Sequence, residues 1–188
     1  MSAQKLTFFS CDNGDASLIE AHGWVIMTDV NYRADASDDD RDTLDFAPKV
    51  RSACNDDKLD IFVLTHPDED HLRGFGDIFH LGKPEDRDSD PDEGDVLIMV
   101  DEIWCSEYSA NPNYTTNKST PVLDEIKRRK ALQGTQAGNK DGNRLKVLTA
   151  SSGAKNTLCN GIEWRLLAPN SSEGNFTSSS PLRRRMKG

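Results

Sequence analysis

The stretch Leu59–His71, LDIFVLTHPDEDH, decides how the rest of the chain is read. Its first part, 59–65 (LDIFVLT), is a nearly continuous apolar run, the pattern of a strand covered on both faces. Its second part, His66-Pro67-Asp68-Glu69-Asp70-His71, places four potential ligands, His66, Asp68, Asp70 and His71, on a sharp loop leaving the carboxyl end of that strand. A regular strand sends neighbouring side chains to opposite faces, whereas a loop lets alternate side chains converge on one point. Imidazole and carboxylate are good ligands for divalent first-row metals. The plain alternative is a polar loop that happens to hold two histidines.

On the amino-terminal side the chain reads as a β-meander. Strands are expected at 5–10 (KLTFFS), about 16–21 and 24–29 (WVIMTD), with turns at Asp12-Asn13-Gly14-Asp15 and His22-Gly23. Residues 35–45 (DASDDDRDTLD) read as a solvated acidic loop, and Pro48 starts a short helix over 48–54. On the carboxyl side, Leu72, Phe75, Ile78 and Phe79 fall on one helical face, so a helix is expected over 71–80. The acidic stretch 85–95 fails as a calcium loop. With Asp88, Asp90 and Asp92 as ligands, Glu93 would stand at the glycine position and Met99 at the closing glutamate. Strands at about 96–100 and 102–105, a polar loop (106–119), a helix at about 121–132 capped by Thr120, and strands at 145–149 and 162–168 complete the reading. The class is α/β (α+β), with antiparallel strands at the start.

Composition narrows the function classes. With 23 Lys+Arg against 32 Asp+Glu the formal charge is −9, which disfavours non-specific binding to nucleic acid or anionic membrane. A nucleic-acid enzyme that places metal cations in its cleft stays open. No apolar run approaches the roughly 20 residues of a membrane span. Met1–Ser10 has neither a basic stretch nor a long apolar core, so no secretory leader and a cytoplasmic location are expected. Cys11, Cys54, Cys105 and Cys159 form no Cys-x-x-Cys pair and read as free, mostly buried thiols.

His66-x-Asp68-x-Asp70-His71 resembles the metallo-β-lactamase superfamily signature His-x-His-x-Asp-His, with Asp68 where the second histidine usually stands. That variant is similar to the metallo-β-lactamase-type domain of the ComEC competence proteins. Cys11–Ile19 resembles the glycine-aspartate turn after that family's first strand, Thr28-Asp29-Val30 its strand-end aspartate, and Leu72-Arg73-Gly74-Phe75 its glycine-containing helix start. The likeness covers residues 4–80 well and 95–168 loosely. It implies an αββα sandwich over 1–168, followed by an irregular polar and basic tail, 169–188.

The resemblance further implies a site for one or two divalent metals, zinc first, with manganese or magnesium as rivals because Asp68 makes it harder and more anionic. His66 and Asp68 would bind the first metal and Asp70 and His71 the second. Asp70 would also hold the nucleophilic water, and Asp29 would orient the loop from behind. The implied activity is hydrolysis of a phosphodiester or other ester, with DNA a candidate substrate and no membrane partner. The superfamily completes its site with later histidines, whereas this chain has only His22, His66, His71 and His80. The sandwich is therefore expected to be incomplete. Two consequences are weighed: a catalytically incomplete fragment or interaction module, and an oligomer or partner chain that completes the fold.

Overall fold

The structure, a computed structural model, describes residues 4–11, 14–33, 44–87, 96–111, 120–149, 156–159 and 162–164. Its strands are β1 (Lys5–Phe8), β2 (Ser17–Ala21), β3 (Trp24–Thr28), β4 (Val30–Asn31), β5 (Lys58–Leu64), β6 (Leu72–Arg73), β7 (Met99–Ser106), β8 (Arg144–Leu148), β9 (Asn156–Cys159) and β10 (Ile162–Trp164). Its α-helices are α1 (Ala47–Ala53), α2 (Phe75–Ile78) and α3 (Pro121–Ala131).

Among the described residues the strands form a six-stranded mixed sheet in the order β1-β2-β3-β5-β7-β8, with β4–β6 and β9–β10 as separate pairs. The meander is antiparallel, and its β2–β3 turn is tight because His22 and Gly23 both take positive φ, 54° and 84°. From β3 onward the neighbours β3–β5, β5–β7 and β7–β8 are parallel. Parallel neighbours need crossovers, and α1, α2 and α3 lie in the three connections.

Side-chain alternation sorts the two sheet faces. Val25 and Met27 of β3, Phe62 and Leu64 of β5, and Ile103 and Cys105 of β7 enter the main core, with Val50, Phe75, Ile78, Val122, Leu123 and Ile126 from the helices. Phe62 stacks edge-on to Phe75 at 4.8 Å between centroids. The other face carries Ile26, Ile61 and Trp104, with Trp24, Val63, Leu158 and Trp164 packed against them. β5 is therefore covered on both faces, as are β3 and β7. The β9–β10 hairpin reaches the second face through Trp164, 4.9 Å from Trp104, with Lys146 Nζ over both rings.

One buried ion pair ties α3 to the sheet. Arg129 donates to Glu125 Oε1 and to the carbonyls of Val100, Asp101 and Arg144 at 2.7–3.2 Å. Glu125 also accepts from Arg128 and from the Gly82 N–H. Burial pushes the Glu125 carboxyl up, but the two arginines outweigh it and hold it below the ordinary carboxylate range.

Several boundaries differ from the sequence reading. The expected 71–80 helix is broken: a 3-10 turn (Glu69–His71), then β6, then α2 alone. Gly74 at φ 70° and the pairing of Leu72 with Val30 interrupt it, outcompeting the helical periodicity. The strands expected at 96–100 and 102–105 are one, β7, because buried Asp101 finds Lys58 Nζ at 3.1 Å inside the sheet. Thr120 caps α3 with its carbonyl rather than its side chain. Asp12 and Asn13 of the expected β1–β2 turn lie outside the described residues. Cys11, Cys54 and Cys105 form no disulfide among the described residues, in line with the expectation of thiols. Burial pushes Cys54 and Cys105 up to about 12. The core of the acidic loops, 34–43 and 88–95, most of the 106–119 loop and residues 165–188 lie outside the described residues.

Candidate metal centre

The parallel strands β3 and β5 deliver the site at their carboxyl ends. At the end of β3 the backbone of Asp29 turns to φ 54°, a conformation that aspartate tolerates better than most residues. The turn aims the Asp29 carboxylate, buried at 2% exposure, across the end of β5. Oδ1 accepts from the Thr65 N–H at 2.8 Å, and Oδ2 accepts from Thr65 Oγ1 at 2.5 Å. Oδ2 also lies 2.9 Å from Nδ1 of His71.

Donor counting then fixes both histidines. A carboxylate only accepts, so the proton in the Asp29–His71 contact belongs to His71 Nδ1. Thr65 has one hydroxyl proton and gives it to Asp29, so in its 3.0 Å contact with His66 Nδ1 the ring nitrogen donates. Asp29 thus sets one ring directly and the other through Thr65. In each ring this leaves Nε2 as the nitrogen turned toward the carboxylates of the loops, and the rings lie 3.7 Å apart between centroids.

The two Nε2 atoms face carboxylates. His66 Nε2 lies 3.6 Å from Asp68 Oδ2. His71 Nε2 lies 3.7 Å from Asp70 Oδ2 and 3.9 Å from Asp15 Oδ2. All four residues of the sequence motif, with Asp29 behind them, are therefore brought together. Glu69 turns aside to Arg73 at 2.8 Å. His22, at the opposite end of β3, contacts Gln4, and His80 donates to the Lys83 carbonyl, so neither joins the cluster.

Asp15 is a member whose role the sequence reading missed; its turn was noted, not its convergence. Thr65 was likewise read only as the strand end. The 9–16 loop is held against the motif by the Asp15 N–H, 3.4 Å from the Asp70 carbonyl, and by Asn31 Nδ2, which donates to the Cys11 carbonyl at 2.7 Å. A Cβ on Gly14 would stand 2.4 Å from the Asp70 carbonyl oxygen, so glycine is what allows the approach.

The loop is also fastened at its far end. Val30 and Asn31 of β4 pair with Leu72 and Arg73 of β6, and the Tyr32 N–H donates to the Arg73 carbonyl at 3.0 Å. A cavity of about 470 Å³ lies beside the loop, lined in part by Pro67, Glu69 and Arg73.

The donor set fits a divalent cation in chemistry, with imidazole lone pairs oriented by a carboxylate and facing further carboxylates. Two ligands each about 2.1 Å from one ion stand about 3.0–3.4 Å apart. The spacings of 3.6–3.9 Å are a few tenths of an ångström wider. Accordingly, among the described residues no three His, Cys, Asp or Glu side chains already form a closed set around an ion position. Asp15, Asp68, His66 and Asp70 are exposed to differing degrees, whereas His71 is buried and held by Asp29. Compared with known protein families, curated proteins and solved structures, the chain matches none.

Proposed function

We propose that the chain is a metal-dependent hydrolase of the metallo-β-lactamase type, acting on a phosphodiester, with DNA the leading candidate substrate. The observation that carries this reading is the Asp29–His71 hydrogen bond, which commits Nδ1 and turns Nε2 toward Asp70. The mixed sheet with two apolar faces, one under helices and one meeting the β9–β10 hairpin, supports an αββα layering.

His66 and Asp68 would hold one cation, and Asp70 and His71 a second; zinc, manganese and magnesium are the candidates. When bound, such an ion lowers the pKa of its water to about 7 and offers positive charge to phosphoryl oxygens. Asp70, at the edge of the cluster, accepts a hydrogen bond from the attacking water and orients it. Asp29 and Thr65 keep both histidines in the tautomer that presents Nε2. The chain's charge of −9 and the carboxylates at the site repel a polyanion until cations neutralise them. Activity should therefore be strictly metal-dependent.

The test is cleavage of bis(p-nitrophenyl) phosphate and of linear duplex DNA by chelator-treated protein, with and without added manganese or zinc. Metal-restored cleavage that is lost in His71→Ala supports the reading. Cleavage that survives chelation, or survives His71→Ala, overturns it. No helix among the described residues is long and apolar enough to cross a membrane.

A further inference from the structure

The two edges of the six-stranded sheet, β1 and β8, are treated differently. Carbonyls of β8 are taken by Arg129 and Gln133, which donate to Arg144 and Leu145. At β1 the phase of the ladder decides what is left open. Leu6 stands opposite Ile19 and Phe8 opposite Ser17, and the Phe9 N–H donates to the Ala16 carbonyl. Hydrogen-bonded pairs alternate with pairs that exchange no bonds. Lys5, Thr7 and Phe9 therefore turn their backbone groups to β2, and Leu6 and Phe8 turn theirs outward. The next outward carbonyl, that of Ser10, accepts from the Leu44 N–H at 3.3 Å and closes the edge. What stays open is Leu6–Phe8.

Apolar side chains gather at the same place. Leu6, Phe8 and Leu44 are 55%, 76% and 52% exposed, three of the four large apolar side chains exposed among the described residues. Leu6 also continues the row Ile19, Ile26, Ile61 across the second face of the sheet. Edge strands are ordinarily shielded by charge, proline or a bulge. β1 carries one charge, Lys5, and Glu20 of the same chain pairs with it at 3.0 Å. Such an edge suits an uncharged, apolar strand.

We propose that this strand is β1 of a second copy, antiparallel about a twofold axis through Thr7. In that register Leu6 lies opposite the partner's Phe8, every outward N–H and C=O of Leu6 and Phe8 is paired, and the two apolar side chains meet on one face. Thr7 stands opposite the partner's Thr7. Its Oγ1 is buried with no hydrogen-bond partner among the described residues, and a rotamer change at each threonine joins the two hydroxyls. The twofold uses both open edges, so association stops at the dimer.

So short a contact belongs to the weak, transient class, with a dissociation constant of about 10–100 μM expected. Sedimentation velocity of the full chain from about 2 to 500 μM spans that range. Phe8→Pro removes an outward N–H and leaves the ladder to β2 intact. Phe8→Lys, at a side chain 76% exposed, places a charge on the edge and keeps the test decisive if the proline variant does not fold. Each should weaken dimerisation by about tenfold or more. Tyr108→Ser removes the fourth exposed side chain, beyond β7 and away from β1, and should leave it unchanged within about threefold. A monomer throughout the range, a dimer indifferent to the Phe8 variants, equal weakening by Tyr108→Ser, or assemblies that grow past two would each overturn the proposal.

Discussion

His71 Nδ1 lies 2.9 Å from Asp29 Oδ2, across 42 residues of sequence, and both side chains are buried. This contact joins the end of β3 to the far end of the loop that follows β5. Because the same carboxylate also takes both polar hydrogens of Thr65, one residue sets the chemistry of the strand end and the orientation of two imidazoles.

Asp29→Ala removes the acceptor for three hydrogen bonds and puts alanine at a positive φ that it resists. The expected cost is about 3 kcal/mol or more in urea unfolding. Asp29→Asn tolerates the backbone, but its amide has one acceptor oxygen where the carboxylate has two. It should cost less stability, yet lower metal affinity by about 10–100-fold. Equal affinity of Asp29→Asn and the unaltered chain would refute the orienting role.

Gly14→Ala places a methyl group within 2.2–2.5 Å of Asn31 and the Asp70 carbonyl. The loop must then back away, at a cost of about 1–3 kcal/mol. The effect should appear as a lower melting temperature in metal-free protein.

The pair Glu125–Arg129 gives a stability prediction remote from the site. Arg129→Met removes one of the two guanidinium partners of the buried Glu125 carboxylate and the donor to three carbonyls, and should cost about 3 kcal/mol. The double variant Glu125→Leu/Arg129→Met should lose less than the sum of the single changes. Since the folded state holds the Glu125 carboxyl below its ordinary value, its contribution is present above the unfolded pKa, about 4.3. That contribution is lost as the pH falls through the lower, folded value. Urea unfolding from pH 6 downward should therefore show a steeper decline in the unaltered protein than in Glu125→Gln.

The parts of the fold written in local pattern were legible in the sequence. The apolar run of β5, the meander and α3 all follow from periodicity and turn residues. What periodicity misplaced depends on partners distant in the chain. Asp101 looks like a strand break until Lys58 stands beside it, and Leu72 looks helical until Val30 pairs with it. The same distinction divides the site. His66, Asp68, Asp70 and His71 are adjacent in sequence and were found there. Asp29 entered through resemblance, and its hydrogen bonds then gave it a reason. Asp15 is brought in only by the fold, through a glycine whose sole signature is the side chain it lacks.

The pairing of β4 with β6 has a consequence for what this segment tolerates. Asp29 grips Thr65 and His71, while Val30 and Asn31 grip Leu72 and Arg73, so three consecutive residues, 29–31, hold the loop at both of its ends. A single inserted or deleted residue between Thr65 and His71 would leave one grip intact and pull the other out of step. Glu69, which is exposed and turned to Arg73, can be exchanged without that penalty. The segment is constrained in its count of residues more strictly than in their identity, as a buckle is by the spacing of its holes.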